Sequence, residues 1–146
     1  MVSRDVWLTW GQCVAEEGFD AITVMVVDDD EISRKLVTSI LGVLGVGKIL
    51  TAENGADALS QLGDSDTDID LLICDISMPE MTGYELIRRI RYGLAPKFKD
   101  VRILVLTGNP TEQTVQRART HKIDGYIEKP PTVDFLRVTI RDVLDL

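Results

Sequence analysis

"ITVMVVDDDE", residues 22–31, sets a largely apolar run directly ahead of four consecutive acids. A continuous, β-branched run of this length reads as a strand buried on both faces, because a strand with one wet face would alternate polar and apolar residues. The acids then stand at the C-terminal end of that strand. In open parallel sheets that is where ligands bind. Four adjacent carboxylates repel one another, so the stretch is a solvated loop, a helix start or a cation site.

Four further runs lie downstream: "KILTA" (48–52), "DLLIC" (70–74), "VRILVLT" (101–107) and "GYIEK" (125–129). The second and fifth runs are the weakest and are expected at sheet edges. Between them the spacing turns helical. Ile32, Leu36, Val37, Ile40, Leu41 and Leu44 form a stripe closed by Gly45. "NGADALSQL" (54–62) is a short second helix. "TGYELIRRIR" (82–91) opens on Thr82 and Glu85 at capping-box spacing, with Leu86, Ile87 and Ile90 inward. "TEQTVQRARTH" (111–121) follows Pro110, and "TVDFLRVTIRDVLDL" (132–146) carries Val133, Leu136, Ile140 and Val143 on one side. Five β-α units from about residue 22 to the end predict a doubly wound parallel α/β sheet with helices on both faces. Residues 1–21 fall outside the pattern as a short N-terminal extension. Val6, Trp10, Cys13 and Val14 share a helical stripe there, which favours a helix docked on its own domain or on a second copy over a frayed terminus.

Bulk properties narrow the function. The chain has 146 residues and a net charge of −8, with a pI near 4.6, so one domain is expected and a phosphate backbone would be repelled. No window reaches the roughly 18 apolar residues of a membrane span, and the N-terminus lacks a signal-peptide core. The expectation is a cytosolic protein without direct nucleic-acid binding or membrane insertion. Cys13 and Cys74 do not make a disulfide framework, and Cys74 reads as core.

The residues closing the strands are chemically loaded. The first strand ends in Asp28 and Asp29, the third in Asp75, the fourth in Thr107 and the fifth in Lys129, followed by Pro130. Clustered carboxylates raise one another's pKa unless a cation neutralises them, and Mg²⁺ suits an all-oxygen site that also meets phosphate. A carboxylate can attack phosphorus, while an ammonium and a hydroxyl stabilise the transferring oxygens. Asp30 and Glu31 fit a helix N-cap and first turn better than direct metal ligation.

"VVDDDE", "ICDISMPEMTGYEL", "VLTG" and "GYIEKP", in this order and at these strand ends, resemble the receiver domain of two-component response regulators, of the chemotaxis-regulator kind. The resemblance covers residues 22–146. It implies a flavodoxin-like (βα)5 fold with strand order 2-1-3-4-5. It implies Asp75 as phosphoacceptor, with Asp28, Asp29, Asp75 and the Ser77 backbone carbonyl around Mg²⁺. Thr107 becomes the switch hydroxyl, Tyr126 the aromatic that follows it inward, and Lys129 the partner of the phosphoryl group, with a cis Lys129–Pro130 bond. Gly108 leaves room for a donor, and Ser77 and Asn109 stand where phosphoryl lifetime varies. The implied partners are a histidine kinase or histidine phosphotransfer protein as donor. A downstream protein or a second copy would dock on the face of the fourth helix, fifth strand and fifth helix. The only catalysis implied is the domain's own phosphotransfer and autodephosphorylation. The chain would be a stand-alone regulator or the receiver part of a longer protein.

Competing readings are weaker. A haloacid-dehalogenase-type phosphatase needs a second Asp two residues after the nucleophile, where Ser77 stands, and a cap domain for which there is no room. A pseudo-receiver would not need the full reactive set. "DSDTDIDLLICD" (64–75) echoes an EF-hand loop but has Ile69 at the glycine position and Asp75 at the glutamate position. His121 and the arginines at 88, 89, 91, 117 and 119 read as solvated.

Overall fold

In the computed structural model, residues 18–64, 68–78, 80–93, 96–108, 111, 116–117 and 119–146 are described. The predicted extension helix and Asn109 lie outside them, as does most of the predicted helix 111–121, of which residues 116, 117, 119 and 120 are helical. Five parallel strands, β1 (Thr23–Val27), β2 (Lys48–Ala52), β3 (Leu71–Asp75), β4 (Arg102–Thr107) and β5 (Gly125–Glu128), form one sheet in the order β2-β1-β3-β4-β5. Helices α1 (Glu31–Leu44), α2 (Gly55–Asp64), α3 (Gly83–Arg91) and α4 (Val133–Leu144) cover it.

Both faces of the central strands are buried, which is why these strands do not alternate in sequence. Met25 and Val27 of β1, Leu72 and Cys74 of β3, and Ile103 and Val105 of β4 join one core with α2 and α3. Val24 and Val26, Leu71 and Ile73, and Leu104 and Leu106 join the opposite core with α1 and α4. The two weakest runs are the edge strands, as expected. Phe19, in a short 3-10 turn ahead of β1, is fully buried in the second core, and its carbonyl accepts from Gly47 N.

Local signals work where they concern one element. Asp30 caps α1 by accepting from Ile32 N at 3.2 Å, and Gly45 ends that helix at φ 84°. Thr82 caps α3 by accepting from Glu85 N at 3.2 Å, while the Glu85 carboxylate turns to Arg88 and Arg89. The α1 stripe needs correction. Val37, Ile40, Leu41 and Leu44 are buried, but Ile32 is 80% exposed and Leu36 41% exposed. The six positions fan across half the helix circumference, and the core takes only the C-terminal part of that fan. On α4, Leu136 and Ile140 are buried, while Val133 and Val143 sit half-buried at the core margin.

Candidate functional site

Sheet register builds the site. Val27 of β1 is paired with Cys74 of β3, so the next residues, Asp28 and Asp75, leave the ladder side by side. Thr107 of β4 is paired with Glu128 of β5, and its carbonyl accepts from Lys129 N at 2.8 Å, which brings Lys129 to the same rim. The position is the switch point of the sheet, between β1 and β3, where the helices that follow them, α1 and α3, depart to opposite faces.

Carboxylate oxygens of Asp28, Asp29 and Asp75 all lie within 4.8 Å of one another. Asp28 is fully buried, Asp75 nearly so, and Asp29 exposed. Lys129 Nζ stands 3.1 Å from Asp75 Oδ1 and 3.4 Å from Asp28 Oδ2, bridging the two buried acids. Asp28 Oδ1 also accepts from Asp30 N at 2.9 Å, and Arg34 holds the Asp28 carbonyl at 2.8 Å. One ammonium does not neutralise this set. Burial, then repulsion from Asp28, pushes the Asp75 carboxyl above the usual range, against the pull of Lys129 and of a hydrogen bond from the Ser77 backbone. For Lys129, burial alone would lower the pKa, but Asp28 and Asp75 outweigh it and the ammonium is held up. A hard, oxygen-seeking divalent cation fits this donor set, whose members are all carboxylates carrying surplus negative charge.

The remaining sequence candidates are placed as follows. Thr107 is buried at the end of β4, and Gly108 beside it is open, with no atom within 4 Å of where a Cβ would stand. Tyr126 is partly exposed on β5, beside Lys129 and Phe135 in a shallow cavity. The Lys129–Pro130 bond is cis. Cys74 is inert core, its thiol pushed up by burial and by Asp75 and Asp28.

Four residues escaped sequence reading. Gly83, the first residue of α3, lies so close to the Asp75 carbonyl oxygen that a Cβ would collide with it, and its N–H donates to Ile76 O at 2.8 Å. Arg34 reaches back from α1 to the site. Arg91 is not a solvated arginine: it donates to the carbonyls of Lys99, Val101 and Lys122 at 2.8, 2.7 and 2.9 Å, and pairs with Asp124 at 3.6 Å. His121 is likewise half-buried rather than solvated, stacked on Tyr84 with ring centroids 5.5 Å apart. Only the "TG" of "TGYEL" hinted at a close approach. The arginine contacts join segments distant in the chain.

An open α/β sheet with a buried carboxylate pair, a bridging lysine and a strand-end threonine at its switch point defines a phosphoryl- and metal-handling class of domain. Residues 24–141 match the response regulator receiver domain, and the chain belongs to that family of two-component signalling. It is 33% identical over 121 residues to chemotaxis protein CheY1 of Helicobacter pylori, covering 83% of this chain and 95% of that protein. It is 37% identical over 122 residues to the sensor histidine kinase RcsC of Salmonella typhimurium, where 83% of this chain matches only 12% of the kinase. Among solved structures, Vibrio cholerae CheY4 superposes with a TM-score of 0.76 at 29% identity, over 84% of this chain and 98% of that one. The Mg²⁺-bound receiver domain of the histidine kinase CKI1 from Arabidopsis thaliana gives 0.77 at 27% identity, over 88% and 96%. Aspartate phosphorylation, Mg²⁺ binding at an acidic pocket and contact with histidine kinases and phosphotransfer proteins are general to the family. Among the described residues, no helix is long and apolar enough to cross a membrane.

Proposed function

We propose that this chain is a phosphorylatable switch in which Asp75 accepts a phosphoryl group from a phosphohistidine on a histidine kinase or phosphotransfer protein. An Asp75 carboxylate oxygen attacks phosphorus, the bond from phosphorus to the donor nitrogen breaks, and the donor imidazole leaves with the electron pair. The observation that carries this reading is Lys129 bridging the buried Asp75 and Asp28 at 3.1 and 3.4 Å. Its ammonium is positioned to hold an oxygen of the incoming group, and its raised pKa keeps it charged.

Asp28, Asp29 and Asp75, with the Ser77 carbonyl, would hold Mg²⁺. When bound, the ion supplies charge neutralisation for the carboxylates and for the phosphoryl oxygens. Thr107, buried one step past the β3–β4 ladder, is the hydroxyl that hydrogen-bonds the phosphoryl group. Tyr126 follows it inward from its partly exposed position. This shifts the surface carried by β5 and α4, where Tyr126, Phe135 and Val138 are exposed. A downstream protein or a second copy reads that surface. Ser77 and Asn109 set how long the acyl phosphate lasts, and the open space at Gly108 admits the donor. Residues 22–146 act as the receiver unit and 1–21 as an extension whose last residues rest on it, in the cytoplasm.

Intact mass spectrometry after incubation with Mg²⁺ and acetyl phosphate tests the assignment. One phosphoryl adduct is expected, absent in Asp75→Asn and absent with chelator. An adduct persisting in Asp75→Asn would overturn it.

A further inference from the structure

The opposite rim of the sheet carries a second concave site, with no part in the phosphotransfer reading. The loops entering β4 and β5 meet the C-terminal end of α3 around a cavity of about 410 Å³, within the range of small-molecule sites. Five arginine and lysine side chains line it against two carboxylates, Asp100 and Asp124, a local excess of three positive charges. The whole chain carries −8. Anions are repelled from most of this molecule and drawn to this cavity.

The cations are not equivalent. Arg91 and Arg102 are committed to Asp124, and Arg88 to Glu85. Lys99 and Lys122 are exposed, and among the described residues neither ammonium has an ion-pair partner. Their backbones are nevertheless fixed, because a single guanidinium, that of Arg91, holds the Lys99 carbonyl at 2.8 Å and the Lys122 carbonyl at 2.9 Å. Two uncommitted ammonium groups thus spring from one clamped junction, within one cavity that a multiply charged anion can enter. Beside them Tyr92 is 81% exposed, with the Arg88 guanidinium 6.0 Å from its ring. An aromatic face next to cations stacks a planar ring.

We propose that this cavity binds a small phosphate-bearing ligand with an aromatic ring, of the nucleotide class, its phosphates between Lys99 and Lys122 and its base against Tyr92. The site lies at the N-terminal ends of the strands, roughly 15–20 Å from Asp75 along a six-residue strand, so the two sites do not overlap.

Calorimetric titration of the full chain with ADP, in chelator so that the carboxylate pocket holds no metal, tests this. Saturable 1:1 binding is expected, weakened at least tenfold in Lys99→Glu/Lys122→Glu and at least threefold in Lys99→Gln/Lys122→Gln. Tyr92→Ala should weaken ADP at least threefold while leaving inorganic pyrophosphate unchanged. Asp75→Asn should bind ADP like wild type, so failure here leaves the Asp75 reading standing. Circular dichroism and adduct formation with acetyl phosphate confirm that the lysine variants fold. Absence of saturation at millimolar ADP, or wild-type affinity in folded Lys99→Glu/Lys122→Glu, overturns the site. Equal loss of pyrophosphate and ADP in Tyr92→Ala, or no loss of either, overturns the nucleotide assignment.

Discussion

The two rims of the sheet bury opposite charges and treat them differently. At the C-terminal rim, two buried carboxylates share one ammonium beside a third, exposed carboxylate, and burial, then Asp28, pushes Asp75 up in pKa. At the N-terminal rim, one half-buried guanidinium is shared by three carbonyls and a carboxylate. Burial pulls Arg91 down in pKa, and Asp124 and then Asp100 oppose it. The first rim keeps surplus charge in a dry place, as a reactive site requires. The second converts a half-buried charge into a fastener for the two loops entering β4 and β5. Natural folds concentrate such unbalanced positions at functional sites and compensate for them elsewhere.

The largest expected effect tests the first rim. Lys129→Met removes the cation that bridges Asp28 and Asp75 and is expected to slow adduct formation from acetyl phosphate by about 10²–10³-fold, as for loss of one preorganised charge. A loss under threefold would show that the bridge is structural and erase the contrast. At the second rim, Arg91→Ala takes a donor from three carbonyls, leaves Asp124 with Arg102 and Ile103 N, and should cost about 3 kcal/mol in urea unfolding, with adduct formation preserved in the folded fraction. A cost below about 1 kcal/mol would mean that the loops hold without their clamp. Gly83→Ala forces a methyl against the Asp75 carbonyl and should cost about 2 kcal/mol by overpacking. It should also slow phosphorylation, because the displaced atom belongs to the acceptor residue.

How much of this could be read from the chain follows from the range of each interaction. The strands were legible because burial on both faces leaves unbroken apolar runs, and Asp28, Asp75, Thr107 and Lys129 were legible because each closes or follows such a run. The Asp30 cap was legible because its partner is two residues away. Ile32 and Leu36 misled because periodicity gives a helix a wide apolar fan without saying which part meets the core. Arg91 misled because its acceptors lie 8, 10 and 31 residues downstream and are backbone carbonyls, to which the residue type of the acceptor gives no clue. Gly83 required the approach of α3 to the end of β3, a tertiary fact.

The smallest effect sharpens the comparison most, because its sign is opposite to that of ordinary core substitutions. Asp75 has a folded-state pKa above its unfolded value, set first by burial and then by Asp28. Ionising it therefore opposes folding, so metal-free stability declines as pH rises from the ordinary carboxylate range through the raised value. Asp75→Asn removes that titration, and Lys129 remains paired with Asp28. In chelator near neutral pH, the variant should unfold at a higher urea concentration than wild type, and the gap should close at acidic pH, where the wild-type carboxyl is protonated. Adding Mg²⁺ should stabilise wild type more than the variant, because a ligand that binds only the folded state stabilises it in proportion to its affinity. If Asp75→Asn were instead less stable than wild type in chelator at neutral pH, the Lys129 bridge would outweigh the repulsion. The C-terminal rim would then be a fastener like the other.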